Sequence, residues 1–210
     1  MPETSNNLKQ NDISRFKSLL DDLKRCFPEH FSQSTNKVTK DIIEQTVLII
    51  SIAEQKLYLI KSQKLENSYP ISSAEAGIGN KSGSYQTPLG THRISEKFGE
   101  NALISSIFKA RKNTHTVAEI LNNPNTKSKD DNITSRILWL DGLEEGSNKG
   151  LDKDGNNVDS HSRYIYIHGT DEEGRLGKAA SHGCIRMANN DVIELFNEVQ
   201  IGCLVIITEH

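Results

Sequence analysis

"TVLIISIAEQKLYLI" occupies Thr46–Ile60 and decides the fold class. Its first half, Thr46–Ile52, is an unbroken apolar run rich in β-branched residues. It is too short for a buried helix and has the composition of a buried strand. Three residues, "AEQ", separate it from "KLYLI" (Lys56–Ile60), a spacing that predicts a β-hairpin. Working outward, "THRIS" (Thr91–Ser95), "RILWL" (Arg136–Leu140), "RYIYIH" (Arg163–His168) and "LVIIT" (Leu204–Thr208) repeat the pattern. Turn-rich stretches such as "GIGNKSGS" (Gly77–Ser84) lie between them. The sequence therefore predicts a mainly β, mostly antiparallel domain over 46–210.

Two helices are expected within that domain. "HTVAEILNN" (His115–Asn123) reads as a short one. In "NNDVIELFNEVQIG", Val192, Leu195, Phe196 and Val199 form one stripe, with Asn189 or Asn190 as cap and Gly202 as terminator. Residues 1–45 read as an N-terminal extension. In it, Ile13, Phe16, Leu20, Leu23 and Phe27 recur at helical spacing after Asp12 and before Pro28, the pattern of an amphipathic packing helix. Two long loops are expected, at 96–115 and 141–162, of the kind that often serve as lids. "DKDGNNVD" (Asp152–Asp159) is oxygen-rich, but it lacks EF-hand spacing and reads as an exposed turn rather than a calcium loop.

Composition narrows the function classes. A net charge of −3 gives no reason to expect a nucleic acid or an anionic membrane as partner. No stretch approaches the ~20 apolar residues of a membrane span. The opening "MPETSNNLKQND" has no basic cluster leading into an apolar run, so the expected location is cytoplasmic, or periplasmic if a leader once preceded it. Three widely spaced cysteines, Cys26, Cys184 and Cys203, form no disulfide framework. Cys203 sits in an apolar run and reads as core.

Cys184 stands in a different setting, "AASHGCIRM" (Ala179–Met187), sixteen residues after His168. A thiol nucleophile needs an imidazole to take its proton and return it to the leaving amine. It also needs backbone N–H groups around the carbonyl oxygen that becomes an oxyanion. Gly183 allows close approach of the chain, and the amides of His182, Gly183 and Cys184 could supply those donors. Two other readings stay open on these residues alone. His168, His182 and Cys184 could be three zinc ligands, without an evident fourth. Alternatively, His168 could be a polar strand end and Cys184 a core residue. Arg186 could grip a substrate carboxylate or brace the loop through backbone carbonyls. Arg163 and Arg136 lie at strand starts.

"IHGT" followed by "SHGCIRM" resembles the signature of the bacterial L,D-transpeptidases, the YkuD-type catalytic domain. "LIISIAEQKLYLI", "YQTPLGTHRIS" and "NNDVIELF" are similar to further segments of that family, so the resemblance covers about residues 45–208. It implies a β-sandwich-like domain with a few short helices. Cys184 would attack the carbonyl of the third, diaminopimelate-type residue of a peptidoglycan stem peptide. D-Ala would leave and a thioester would form. His168 would act as base and then acid, the Gly169 carbonyl would orient its ring, and His182 would shape the pocket. Ser181, Tyr85, Thr87, Gly90, Arg163 and Arg186 would contact substrate or line the cleft. The resemblance implies no metal or organic cofactor, and it implies inhibition by carbapenems. The thioester could pass to an amine, giving cross-links or exchanged D-amino acids, or to water, giving L,D-carboxypeptidase action on free muropeptides. The cytoplasmic expectation favours water. A non-catalytic peptidoglycan-binding module would require a damaged Cys or His, and both are present.

Overall fold

The computed structural model describes residues 46–62 and 64–210. The expected N-terminal helix and Cys26 lie outside the described residues. Ten strands run β1 (Thr46–Ser51), β2 (Lys56–Lys61), β3 (Lys64–Ser72), β4 (Gly90–Phe98), β5 (Ser106–Lys109), β6 (Lys112–Val117), β7 (Ile133–Gly142), β8 (Tyr166–Thr170), β9 (Ile185–Met187) and β10 (Leu204–Thr208). One α-helix, α1 (Asn189–Glu198), lies between β9 and β10. A 3-10 turn at Glu173–Arg175 follows β8. None of the described helices is long and apolar enough to cross a membrane.

All ten strands belong to one sheet, in the order β4-β10-β1-β2-β3-β9-β8-β7-β5-β6. β4 pairs with β7 as well as with β10, so eight of the strands close into a ring. The β5–β6 hairpin hangs from β7 outside the ring. Most pairings are antiparallel; β1–β10 and β8–β9 are parallel. The mainly β expectation is met, and a single sheet supplies both walls around the core.

The uninterrupted apolar run of the opening stretch has a plain cause. β1 lies inside the sheet between β2 and β10, and Val47–Ile50 are all buried, so both of its faces are covered. Alternate residues, Leu48 and Ile50 on β1 and Leu57 and Leu59 on β2, face the main core. They meet Leu138 and Leu140 of β7 and Ile185 and Met187 of β9 there. Val192, Leu195, Phe196 and Val199, the expected helix stripe, join the same cluster.

Several local expectations are corrected. "HTVAEILNN" is not a helix: His115–Val117 belong to β6 and the rest is irregular chain. The pairing of β6 with β5 outweighs a weak helical pattern over a few residues. For the same reason, 96–115 is not a loop but carries the end of β4 and most of the β5–β6 hairpin. β3, β5, β6 and β9 were not legible, being polar or very short. Arg136 lies inside β7 rather than at its start.

The helix cap also differs. α1 begins at Asn189 itself, after Ala188, with no side-chain cap from Asn189 or Asn190. Glu173 does the work instead, its carboxylate accepting the Asn189 amide at 2.8 Å, a favourable charge at a helix N-terminus. The helix ends at Glu198, before Gly202. Asn189 turns inward. Its Oδ1 accepts from Thr134 Oγ1 at 2.7 Å and Ser135 Oγ at 2.6 Å. Its Nδ2 donates to the Thr170 carbonyl at 2.8 Å and to Glu173. One buried amide thus ties α1 to β7 and β8. Asn189→Ala should lower unfolding stability by about 2–3 kcal/mol, because it strands two buried hydroxyls and a carbonyl. Urea denaturation of the folded chain measures this.

Candidate active site

β8 and β9 run parallel, with Ile167 opposite Ile185 and His168 opposite Arg186. Strand residues alternate between faces. Ile167, Ile185 and Met187 therefore point into the main core. Tyr166, His168, Cys184 and Arg186 share the other face. Cys184 packs there against the second apolar cluster, which contains Tyr166, Trp139, Ile137 and Phe108. His168 and Cys184 are diagonal neighbours on this face, two residues removed from each other's cross-strand partners.

His168 is buried, and its Nδ1 lies 2.8 Å from the Gly169 carbonyl oxygen. A carbonyl only accepts, so Nδ1 carries the hydrogen and the Nε2 lone pair is the basic site. Gly169 has a steric reason to be glycine. A Cβ there would lie 2.7 Å from the Thr134 carbonyl oxygen and 2.8 Å from Asn189 Oδ1. The orienting carbonyl is therefore held against the same Asn189 network that anchors α1.

Cys184 Sγ accepts the Tyr166 amide at 3.4 Å and donates to the Tyr164 carbonyl at 3.3 Å. Burial pushes its thiol up to about 11. Burial likewise pushes His168 down to about 4, and Arg186 works in the same direction. Both groups are thus neutral at rest. Such a pair can transfer a proton to Nε2 as sulfur attacks, without holding a standing ion pair.

The turn before Cys184 is fixed from several sides. Ser181 Oγ donates to the Cys184 carbonyl at 2.6 Å and accepts the Gly183 amide at 3.2 Å. Of the three expected oxyanion donors, the Gly183 amide therefore already has a partner. Thr87 Oγ1 donates to the Gly183 carbonyl at 3.0 Å and accepts the Ala74 amide at 3.0 Å. Gly183 has φ +130°, backbone that favours glycine. Arg163 donates to the carbonyls of Asn80 and Gln86, both at 2.7 Å, and pins the 77–86 loop beside this turn. Gly90 lies elsewhere: a Cβ on it would meet Glu144 and Asn148. Arg136 donates to the Ala102 and Ser135 carbonyls. Tyr85 is exposed at 65% and meets the His182 ring edge-on at 6.2 Å.

Arg186 is 2% exposed and has a carboxylate on each terminal nitrogen, Asp131 at 2.6 Å and Glu172 at 2.7 Å. Its contacts make it a brace, to carboxylates rather than to backbone carbonyls. Asp131 Oδ2 also lies 2.8 Å from Nδ1 of the exposed His182. Burial alone would raise the Asp131 carboxyl, but Arg186 and the two histidines outweigh it and hold the group ionised. Sequence reading missed Asp131 and Glu172. Nothing local marks them, since they reach Arg186 only through the fold. The expected zinc alternative finds no support in placement: among the described residues no cluster of three His, Cys, Asp or Glu groups could hold a metal.

The L,D-transpeptidase catalytic-domain family, YkuD, matches residues 45–207. The chain belongs to the L,D-transpeptidase family. The putative L,D-transpeptidase YqjB of Bacillus subtilis is 47% identical over 47 residues, 22% of this chain and 27% of that protein. The putative L,D-transpeptidase YkuD of the same organism is 56% identical over 41 residues, 20% of this chain and 25% of that protein. These matches span about a quarter of the curated relatives. Among solved structures, L,D-transpeptidase 3 of Mycobacterium tuberculosis with a faropenem-derived adduct has TM-score 0.48 and 19% identity, covering 78% of this chain and 60% of that one. Bd1075 of Bdellovibrio bacteriovorus has TM-score 0.49 and 12% identity, covering 81% and 50%.

In this L,D-transpeptidase-family chain, iodoacetamide alkylation of Cys184 should climb with pH through the neutral range towards about 11. A pH-independent rate across neutrality would reveal a resting thiolate–imidazolium pair and overturn the neutral assignment. Acid stability follows from His168 and His92, both depressed by burial to about 4. An unfolded histidine titrates near ~6.5. The stabilisation is therefore complete above ~6.5 and is lost as pH falls through about 4, where the folded chain must also take up the protons. Urea midpoints should fall between pH ~7 and ~4.5.

Proposed function

We propose that the chain is a cysteine acyltransferase that opens the L,D bond between the third residue and the terminal D-Ala of a peptidoglycan stem tetrapeptide. The observation that carries this reading is the His168 tautomer: Nδ1 is engaged by the Gly169 carbonyl, and the basic nitrogen lies on the sheet face that bears Cys184.

In the acylation step, the Cys184 S–H bond breaks and Nε2 of His168 takes the proton. Sulfur bonds to the carbonyl carbon of the third residue. The amide C–N bond then breaks as the imidazolium protonates the leaving nitrogen, and D-Ala departs. The Tyr166 amide, already directed at sulfur, stabilises the developing thiolate. The amides of His182 and Cys184 are the proposed oxyanion donors, because the Gly183 amide serves Ser181. Asp131 and Arg186 hold His182 in place at the rim.

Water is the acceptor we assign for the second step, since it needs no second binding groove. His168 takes a proton from water, the oxygen attacks the thioester, the C–S bond breaks, and sulfur recovers the proton. The products are a tripeptide and free D-Ala, as in muropeptide recycling. A cytoplasmic site of action accords with that role.

Incubation with a tetrapeptide muropeptide, with and without a D-amino acid, and mass analysis of the products should give tripeptide in both cases. Exchanged or cross-linked peptide without tripeptide would replace water by an amine. Cys184→Ala should abolish turnover, and activity should survive EDTA. A carbapenem should add its mass to the wild-type protein through the same acylation step. An adduct of equal yield on Cys184→Ala would place the reaction elsewhere.

A further inference from the structure

Beside Cys184, four side chains form a platform that the steps above do not use. Trp139 of β7 packs edge-on to Tyr166 at 5.6 Å and tilted against Tyr164 at 5.7 Å. It also stacks on His161 at 3.9 Å, nearly parallel, and meets Phe98 tilted at 6.4 Å. Over this surface lies Arg111. Its guanidinium carbon is 4.4 Å from the Trp139 ring centroid and 5.4 Å from that of Tyr164. One terminal nitrogen donates to the Tyr166 hydroxyl at 3.0 Å. Tyr164 and Tyr166 are the same two residues whose backbones touch Cys184 Sγ. The cation therefore stands about one tyrosine side chain from the nucleophile.

Two observations set Arg111 apart from a solvated surface charge. First, among the described residues no carboxylate lies within ion-pair distance of it; the nearby Glu96 pairs with His161 at 3.5 Å. By contrast, Arg186, Arg175 and Arg93 have carboxylate partners, and Arg136 and Arg163 donate to two or more backbone carbonyls. Second, Arg111 occupies an unfavourable backbone position. Lys109 ends β5 and Lys112 begins β6, so Ala110 and Arg111 form a two-residue hairpin turn with φ +46° and +67°. Such turns favour Asn-Gly, because residues with a Cβ pay about 1–2 kcal/mol in left-handed backbone. Tyr164, beneath it, is left-handed too, at φ +58°.

We propose that Arg111, held by the Tyr166 hydroxyl over the Trp139 and Tyr164 rings, is a substrate-specificity residue that binds a free carboxylate of the donor peptide beside the scissile amide. A guanidinium held over aromatic rings, with only one N–H engaged by a hydroxyl, retains N–H groups that can grip a carboxylate through two parallel hydrogen bonds. The donor offers two such groups, the C-terminal carboxylate of D-Ala and the side-chain carboxylate of the diaminopimelate-type residue. The inference rests on the stem-peptide reading above.

The test compares three tetrapeptides with the full chain: free, amidated at the C-terminus, and amidated at the side-chain carboxylate. Arg111→Asn, which suits the left-handed turn, is measured beside Arg111→Lys and Tyr166→Phe. With wild type, one of the two amidations should raise KM by about tenfold to a hundredfold and leave kcat nearly unchanged, identifying the carboxylate. Arg111→Asn should impose the same rise on the free peptide and remove the penalty of that amidation. Arg111→Lys should recover part of the loss, and Tyr166→Phe should show a smaller one. Alkylation of Cys184 by iodoacetamide in Arg111→Asn should match wild type, because the thiol contacts are backbone ones. If neither amidation affects wild type, or if Arg111→Asn keeps the wild-type preference, Arg111 binds no carboxylate. If wild type cleaves none of the three peptides, the stem-peptide reading itself falls.

Discussion

The structure turns on the parallel pairing of β8 with β9. Parallel register sets His168 against Arg186 and Ile167 against Ile185. With side chains alternating between faces, that one register sends the apolar members into the ring and brings imidazole, thiol and guanidinium together on the opposite face. A slip by one residue would bury Cys184 and Arg186 in the apolar core and abolish the site. Parallel neighbours also need a long crossover. Here it supplies Glu173, which caps α1, and the Ser181–Gly183 turn that delivers the thiol.

Burial shapes the chemistry as much as proximity does. It moves the thiol and the imidazole in opposite directions, away from a standing ion pair. In the proposed mechanism the cost of charge separation is deferred until a carbonyl arrives to take the sulfur's electrons. Beside this neutral pair lies a charged network of Arg186, Asp131 and Glu172, in which one carboxylate oxygen of Asp131, Oδ1, is buried without a hydrogen-bond partner. That network fixes the Asp131 segment to β9 and holds His182 at the rim. The aromatic cluster of Trp139, Tyr164 and Tyr166 carries Arg111, a cation with no carboxylate partner among the described residues. The first group of charges is paired internally; the second is the proposed carboxylate site.

Asn189 shows how closely fold and site are joined. Its amide satisfies β7, β8 and the helix start together, and it also forms part of the crowded wall that makes residue 169 a glycine. The carbonyl that sets the His168 tautomer therefore depends on a polar network in the scaffold.

From the sequence came the mainly β class, six of the ten strands and the α1 stripe; it also singled out His168 and Cys184, which the β8–β9 register sets on one face. Those signals are local: apolar period, β-branched composition and a dense chemical motif. It could not disclose β3, β5 or β6, whose polar residues become strands only by finding partners, or the three-residue β9, and it misread His115–Asn123 for the same reason. Tertiary structure alone decided that the sheet closes through β4 and β7 and that Arg186 braces two distant acids. It likewise decided that Arg111 comes to rest on Trp139. Each of these depends on contacts between residues far apart in the chain, and the energy of such a contact is written in neither segment alone.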